Sequence, residues 1–254
     1  MMTRVFLNAF LVAAVMLGGI LAWNARATGQ PAGFDARQTG EIERIVREYL
    51  LANPEILRDV LTALEEKEQQ EREAQVAGAI EEYRNEILSA PPGMVLGNPD
   101  GDVTLVEFFD YNCGYCKRAM PDLQTLLETD QNLRVVLKEF PILSDGSVEA
   151  AKGSVAAANQ GRYRDFHFIM LGGRGVNDGA RALQVAEELG LDMGRFRADM
   201  KSAETEELIA STQALASDIG IQGTPAYIIG STLVPGAIGV EGLREAIAET
   251  RATN

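Results

Sequence analysis

Apolar positions change period several times along this chain, and the changes divide it. Val5 to Trp23 is apolar almost without a break behind Arg4. From Thr39 to about Ser89 the apolar residues recur every three or four positions. The first stripe is Ile42, Ile45, Val46, Tyr49 and Leu50; the second is Leu57, Val60, Leu61 and Leu64; the third is Val76, Ile80, Tyr83 and Ile87. That spacing predicts amphipathic helices. Asn53-Pro54 interrupts the first two, with Asn53 expected as an N-cap and Pro54 at the first helical position. Lys67 to Gln75 is nearly all polar, and the third stripe has the alternating four-three spacing of a coiled-coil seam. Narrow stripes around a polar middle predict a protruding segment that buries its apolar side against copies of itself. Folding back onto the rest of the chain is the alternative.

Ala90-Pro91-Pro92-Gly93 closes this segment. Beyond it the pattern turns to short apolar runs rich in β-branched and aromatic residues: Met94 to Leu96, Val103 to Phe109 and Leu133 to Phe140. These predict strands. Between the last two lies a helical pattern with Met120, Leu123, Leu126 and Leu127 on one side, bent at Pro121. Five helical stretches follow: Val148 to Gln160, Arg162 to Leu171, Ala180 to Leu189, Met193 to Met200 and Thr205 to Ile219. The β pattern resumes at Gly220 to Gly230 and at Thr232 to Val234, and Val240 to Thr250 is a closing helix. The order is β-α-β, helical insert, β-β-α, which is an α/β fold.

Composition changes the picture in two places. The chain has 254 residues, two cysteines, one histidine and a formal net charge of −14. So acidic a protein is a poor partner for nucleic acid or anionic lipid. Arg4, the apolar run and Ala25-Arg26-Ala27 form an export signal, with cleavage expected after Ala27. The run is also near the length of a membrane span, so an uncleaved anchor stays open. Either way the cysteines face an oxidising compartment.

Those cysteines, Cys113-Gly114-Tyr115-Cys116, fall where a strand gives way to a helix. Unpaired N–H groups and the positive end of the dipole favour a thiolate there. Cys113 comes first and is expected to be the more exposed, hence the nucleophile. Cys116, one turn inward, is placed to attack a mixed disulfide and release the partner. A structural disulfide, half of a zinc site and two idle buried thiols are the plainer readings. A loop this short stabilises little when closed, and zinc needs about four ligands where the chain adds only His167. His167 is expected to pack within the helical insert. The five methionines beyond the leader are scattered, which gives no soft-metal site.

Three motifs then carry a resemblance: Glu107-Phe108-Phe109 ahead of Cys113, the Cys113-Gly114-Tyr115-Cys116 centre, and Gly223-Thr224-Pro225 before a strand. In this order the chain resembles the DsbA-like branch of the thioredoxin superfamily over about residues 94–254. With the N-terminal helices it looks most like the suppressor-of-copper-sensitivity protein C group of periplasmic disulfide isomerases. The resemblance implies a thioredoxin fold with an inserted helical domain at about 145–220. It divides the chain into a signal peptide (1–27), an N-terminal oligomerisation segment (28–92) and the thioredoxin domain (93–254).

It also implies a protein thiol–disulfide oxidoreductase in which Cys113 and Cys116 exchange electrons. Glu107 would be the buried acid that takes the proton of the inner cysteine. Thr224 and Pro225, the latter in the cis form, would hold the client backbone beside Gly114 and Tyr115. No cofactor is implied beyond the Cys113–Cys116 disulfide, and no metal. The implied partners are client proteins, a membrane-embedded redox partner and further copies of the chain, a trimer. A DsbA-like disulfide-donating oxidase is the alternative, and a holdase or copper-binding protein the more distant one. The strongly oxidising relatives have Pro-His between their cysteines. Gly114-Tyr115 lacks that histidine, so Cys113 is expected to be less acidic than theirs and not far below an ordinary thiol.

Overall fold

The computed structural model describes residues 33–253. The expected signal peptide and the start of the expected oligomerisation segment, residues 28–32, lie outside the described residues. The chain divides into two compact units, one ending at Lys67 and the other beginning at Glu68.

The first unit holds helix α1 (Ala36–Ala52) and the start of α2 (Glu55–Glu82). Asp35 opens α1 with a reciprocal capping box: its side chain accepts from Gln38 N–H while the Gln38 side chain accepts from Asp35 N–H. Arg44 bridges Glu41 at 2.6 Å and Glu48 at 2.8 Å along the solvent side. Asn53 does not cap α2 as expected. Its backbone N–H and its side-chain amide both donate to the Tyr49 carbonyl, so it closes α1 instead. Ile45, Val46, Tyr49, Leu57, Val60, Leu61 and Leu64 all remain exposed.

In the second unit, the end of α2 and the short α3 (Arg84–Leu88) lead into a five-stranded sheet. Its strands are β1 (Val95–Gly97), β2 (Val103–Phe109), β3 (Leu133–Glu139), β4 (Ala226–Ile229) and β5 (Thr232–Pro235), in the order β1-β3-β2-β4-β5. Strands β2 and β3 pair in parallel across α4 (Gly114–Thr129), and every other pairing is antiparallel. The insert comprises α5 (Asp145–Ala158), α6 (Tyr163–Gly172), α7 (Gly179–Glu188), α8 (Met193–Asp199) and α9 (Ala203–Ile219), and α10 (Gly239–Thr253) closes the chain. Several insert helices start a residue or more before their apolar pattern does. The reason is side-chain capping: Ser144, Asp178 and Ser202 each accept an N–H three residues on.

Strand β2 is apolar almost throughout because both sheet faces are covered. Leu105, Phe109 and Tyr111 join Val135 and Leu137 under α4 to α8 and α10. Val106, Phe108 and Val136 face the other way, against Leu215, Ala216 and Ile219 of α9. Ile80 and Ile87 complete that second cluster, with Val76 and Tyr83 at its edge. The third apolar stripe, expected as a seam between copies, is therefore part of this unit's own core. Its four-three spacing is common to any helix with one buried side, and here the sheet supplies the partner. Two cations on β3 secure the turn after α3. Lys138 Nζ donates to the carbonyls of Glu86 (2.8 Å) and Ser89 (2.6 Å), and Arg134 donates to Leu88 O at 2.9 Å.

Candidate functional site

The end of β2 is held before the helix starts. Asp110, fully buried, accepts from Asn112 N–H at 2.7 Å and from the N–H groups of Ile142 and Leu143 at 2.9 and 3.0 Å. One carboxylate thus ties the loop after β2 to the loop after β3. Asn112 and Asn177 bind each other's segments. Asn112 Nδ2 donates to Asn177 O at 2.8 Å, Asn177 N–H returns to Asn112 Oδ1 at 2.8 Å, and Asn177 Nδ2 donates to Tyr111 O at 2.7 Å.

Cys113 is the N-cap of α4. Its sulfur accepts the Cys116 N–H at 3.4 Å and lies 3.1 Å from the Thr224 carbonyl oxygen. It keeps 5 % of its surface, whereas Cys116 is wholly enclosed. The Thr224–Pro225 peptide is cis, and this loop across the sheet brings Thr224 to the sulfur over 111 residues of sequence. Tyr115 is 61 % exposed beside the pair, with the Arg118 guanidinium 4.3 Å from its ring centre. Cys113, Cys116, Gly114, Tyr115, Thr224 and Pro225 therefore lie together.

Glu107 is buried on β2, opposite Tyr227 of β4. Burial is the main reason its carboxyl is pushed up to about 8; the Cys113 charge adds to this and a hydrogen bond from Tyr227 opposes it. Cys113 is pulled down to about 5, first by a hydrogen bond from the Cys116 thiol, with Thr224 and the N–H groups of Cys116 and Tyr115 adding to it against partial burial. Cys116 goes the other way, raised by its bond to Cys113, by burial and by the charges of Glu107 and Cys113. The expectation of an ordinary Cys113 is thus corrected. The start of α4 and the second thiol supply the donors that the missing histidine would have supplied. Since the Cys116 thiol is the largest cause, Cys116→Ala should raise the Cys113 pKa while Cys116→Ser, which keeps a donor, should hold it low. Thiolate absorbance followed against pH checks this; equal midpoints for the two variants would contradict it.

Sequence reasoning missed a second buried acid, Glu139 at the end of β3, and the tyrosines around it. The signal was available, because a carboxylate inside a buried strand is as notable at 139 as at 107. His167 packs as a buried residue, between the insert and the sheet and not within the insert alone: Phe109 and Tyr111 enclose it with Tyr163 and Phe168, and burial pulls it down to about 3.

Two family models match the chain: a DSBA-like thioredoxin domain over residues 104–248 and the copper resistance protein ScsC N-terminal domain over residues 38–71. Among solved structures, a thioredoxin-like oxidoreductase from Silicibacter pomeroyi is 43 % identical with a TM-score of 0.64, covering 66 % of this chain and 98 % of its own. The thiol-disulfide exchange protein α-DsbA2 from Wolbachia pipientis is 30 % identical with a TM-score of 0.65, covering 70 % of this chain and 97 % of its own. A linker-deletion mutant of Proteus mirabilis ScsC is 25 % identical with a TM-score of 0.65, covering 89 % of this chain and all of its own. Curated relatives include a Na+/H+ antiporter NhaA from Salinispora arenicola, 30 % identical over 155 residues, or 60 % of this chain. The chain spans about a quarter of that relative's length. Among the described residues no helix is long and apolar enough to cross a membrane. With its family match extending over more than half its length, from β2 to α10, the chain belongs to the DSBA-like thioredoxin-domain family.

Proposed function

We propose that this protein exchanges disulfides with client proteins in the periplasm through Cys113 and Cys116, and works chiefly as a disulfide isomerase or reductase. The observation that carries the exchange reading is the opposed pair of thiols, Cys113 lowered to about 5 and Cys116 raised, at the start of one helix. At neutral pH Cys113 is a thiolate and Cys116 keeps its proton. The Cys113 thiolate attacks a client disulfide; one client sulfur joins Cys113 and the other leaves as a thiolate and takes a proton. In isomerisation another client thiolate attacks that mixed disulfide and frees Cys113. In reduction the ionised fraction of Glu107 takes the Cys116 proton, and Cys116 attacks Cys113, which releases the client and leaves the Cys113–Cys116 disulfide. Thr224 and Pro225 hold the client backbone, with Gly114 and Tyr115 alongside.

The isomerase direction is supported by the ScsC N-terminal match and by the exposed stripes on α1 and the start of α2, which we assign to self-association into a trimer. Several active sites would then face one client. A membrane-embedded partner would keep the pair reduced, and the signal segment would direct export before its removal. One observation favours the second reading, a disulfide-donating oxidase: so acidic a Cys113 is a good leaving group. Reactivation of a scrambled multi-disulfide substrate by the reduced protein separates the two. An isomerase reactivates it several-fold faster than small thiols do. No reactivation, with rapid oxidation of reduced clients by the disulfide form, makes the protein an oxidase. A holdase would keep its activity when both cysteines become serine, while an exchange enzyme would lose all of it.

A further inference from the structure

A cluster of buried polar side chains that the exchange reaction does not use meets beneath the loop carrying Cys113. Glu139 pairs in register with Phe109, so it shares the sheet face of Phe109 and Tyr111. Glu107 lies on that face too, two residues earlier on β2. Glu139 gathers hydroxyls from three elements onto one oxygen, Oε1: Tyr163 of α6 at 3.2 Å, Tyr111 of the loop after β2 at 3.4 Å, and Ser154 of α5. Tyr111 Oη also lies 3.3 Å from His167 Nδ1, and His167 Nε2 is buried with no hydrogen-bond partner.

The charges around Glu139 show which form fits. Its Oε1 accepts from Ser154, whose Oγ also lies 2.8 Å from the Ala151 carbonyl. The titratable groups facing Glu139 supply no positive charge. Asp110, Glu107 and Tyr111 come from β2 and its loop, and Tyr163 and His167 from α6. A buried carboxylate without a cation is costly, and the neutral acid avoids that cost.

We propose that Glu139 is a positioning residue, held as a neutral acid, that fixes Tyr111 and with it the Asp110–Cys113 loop, and that its ionisation in alkaline solution loosens that loop around Cys113. The inference rests on Cys113 as the reacting thiol and not on whether the protein isomerises or oxidises. Burial pushes Glu139 up to about 8, from an ordinary carboxylate near 4.5. A raised acid stabilises the fold relative to ionisation most fully below about 4.5, and that contribution is lost as the pH rises through about 8.

The test is alkylation of Cys113 by iodoacetamide in the full chain between pH 6.5 and 9.5, with unfolding measured alongside. Cys113 is already a thiolate across this range, so a further step in rate reports another group. Wild type should alkylate at least about threefold faster above pH 8 than at pH 7, because the loosened loop uncovers a nearly enclosed sulfur. Glu139→Gln imitates the neutral acid, so its rate should stay level, and it should gain stability against wild type as the pH rises from about 4.5 to 8. Tyr111→Phe keeps the acid but cuts its link to the loop; it too should show no step while retaining the stability slope. A purely structural Glu139 would lower stability at every pH and leave the step in place. A step that survives Glu139→Gln, or its absence from wild type, overturns the proposal. Failure of the exchange reading would show separately, as an active-site thiol that alkylates normally in a protein without effect on client disulfides.

Discussion

A chain that begins after Pro92 should be severely destabilised, whereas one that begins at Glu68 should fold. The unit boundary lies at Lys67, and the residues after it belong to the sheet's second core. Removing 68–92 strips Ile80 and Ile87, each 1 % exposed, from against Val106, Phe108 and Val136. Losing a buried isoleucine down to alanine size costs about 2–5 kcal/mol with its cavity, so two cost at least about 4 kcal/mol. The same cut removes the carbonyls of Glu86 and Ser89 that Lys138 binds. Against a total stability of about 5–15 kcal/mol, that is enough to populate the unfolded state. Denaturant unfolding of the two shortened chains checks it. Similar midpoints would mean that the end of α2 and α3 contribute little to this core.

Glu107→Gln should slow the release of a client by Cys116 by about a hundredfold, the usual contribution of one positioned proton acceptor. The variant keeps the size of the side chain and loses only its capacity to take a proton. In wild type the rate should rise with pH through about 8, because burial holds Glu107 protonated below that value and only the carboxylate accepts. The glutamine variant should lack that rise. Folding stability runs in the opposite direction, since the neutral acid is the form the core tolerates. Its contribution is complete below about 4.5 and lost as the pH rises through about 8, and it is absent in the variant. Stopped-flow measurement of mixed-disulfide decay against pH gives both numbers. An unchanged profile would move the proton acceptor elsewhere.

Much of this architecture was legible because the signals were local. Val103 to Phe109 reads as a buried strand from its own residues, and the structure places β2 there. The five insert helices were visible in their periods, and the motif Gly223-Thr224-Pro225 marked the loop that meets Cys113. What could not be read was long-range. The third stripe, Val76 to Ile87, shows which residues of a helix are apolar but not whether a sheet or another copy covers them. Asn53 has the chemistry to cap a helix at either end, and only the position of Tyr49 O decided it. The acidity of Cys113 depends on where the Cys116 thiol and Thr224 sit, which residue types alone do not fix. Glu139 was missed because its strand also carries Arg134 and Lys138, and its hydroxyl partners lie 15, 24 and 28 residues away.

The most direct test of the account is to trap the intermediate. Cys116→Ala removes the resolving thiol, so an oxidised client added to the reduced variant should accumulate as a disulfide-linked adduct, and peptide mapping should place the link on Cys113. No adduct, or an adduct that forms equally well after Cys113→Ser, would contradict the assignment of Cys113 as the thiol that meets the client.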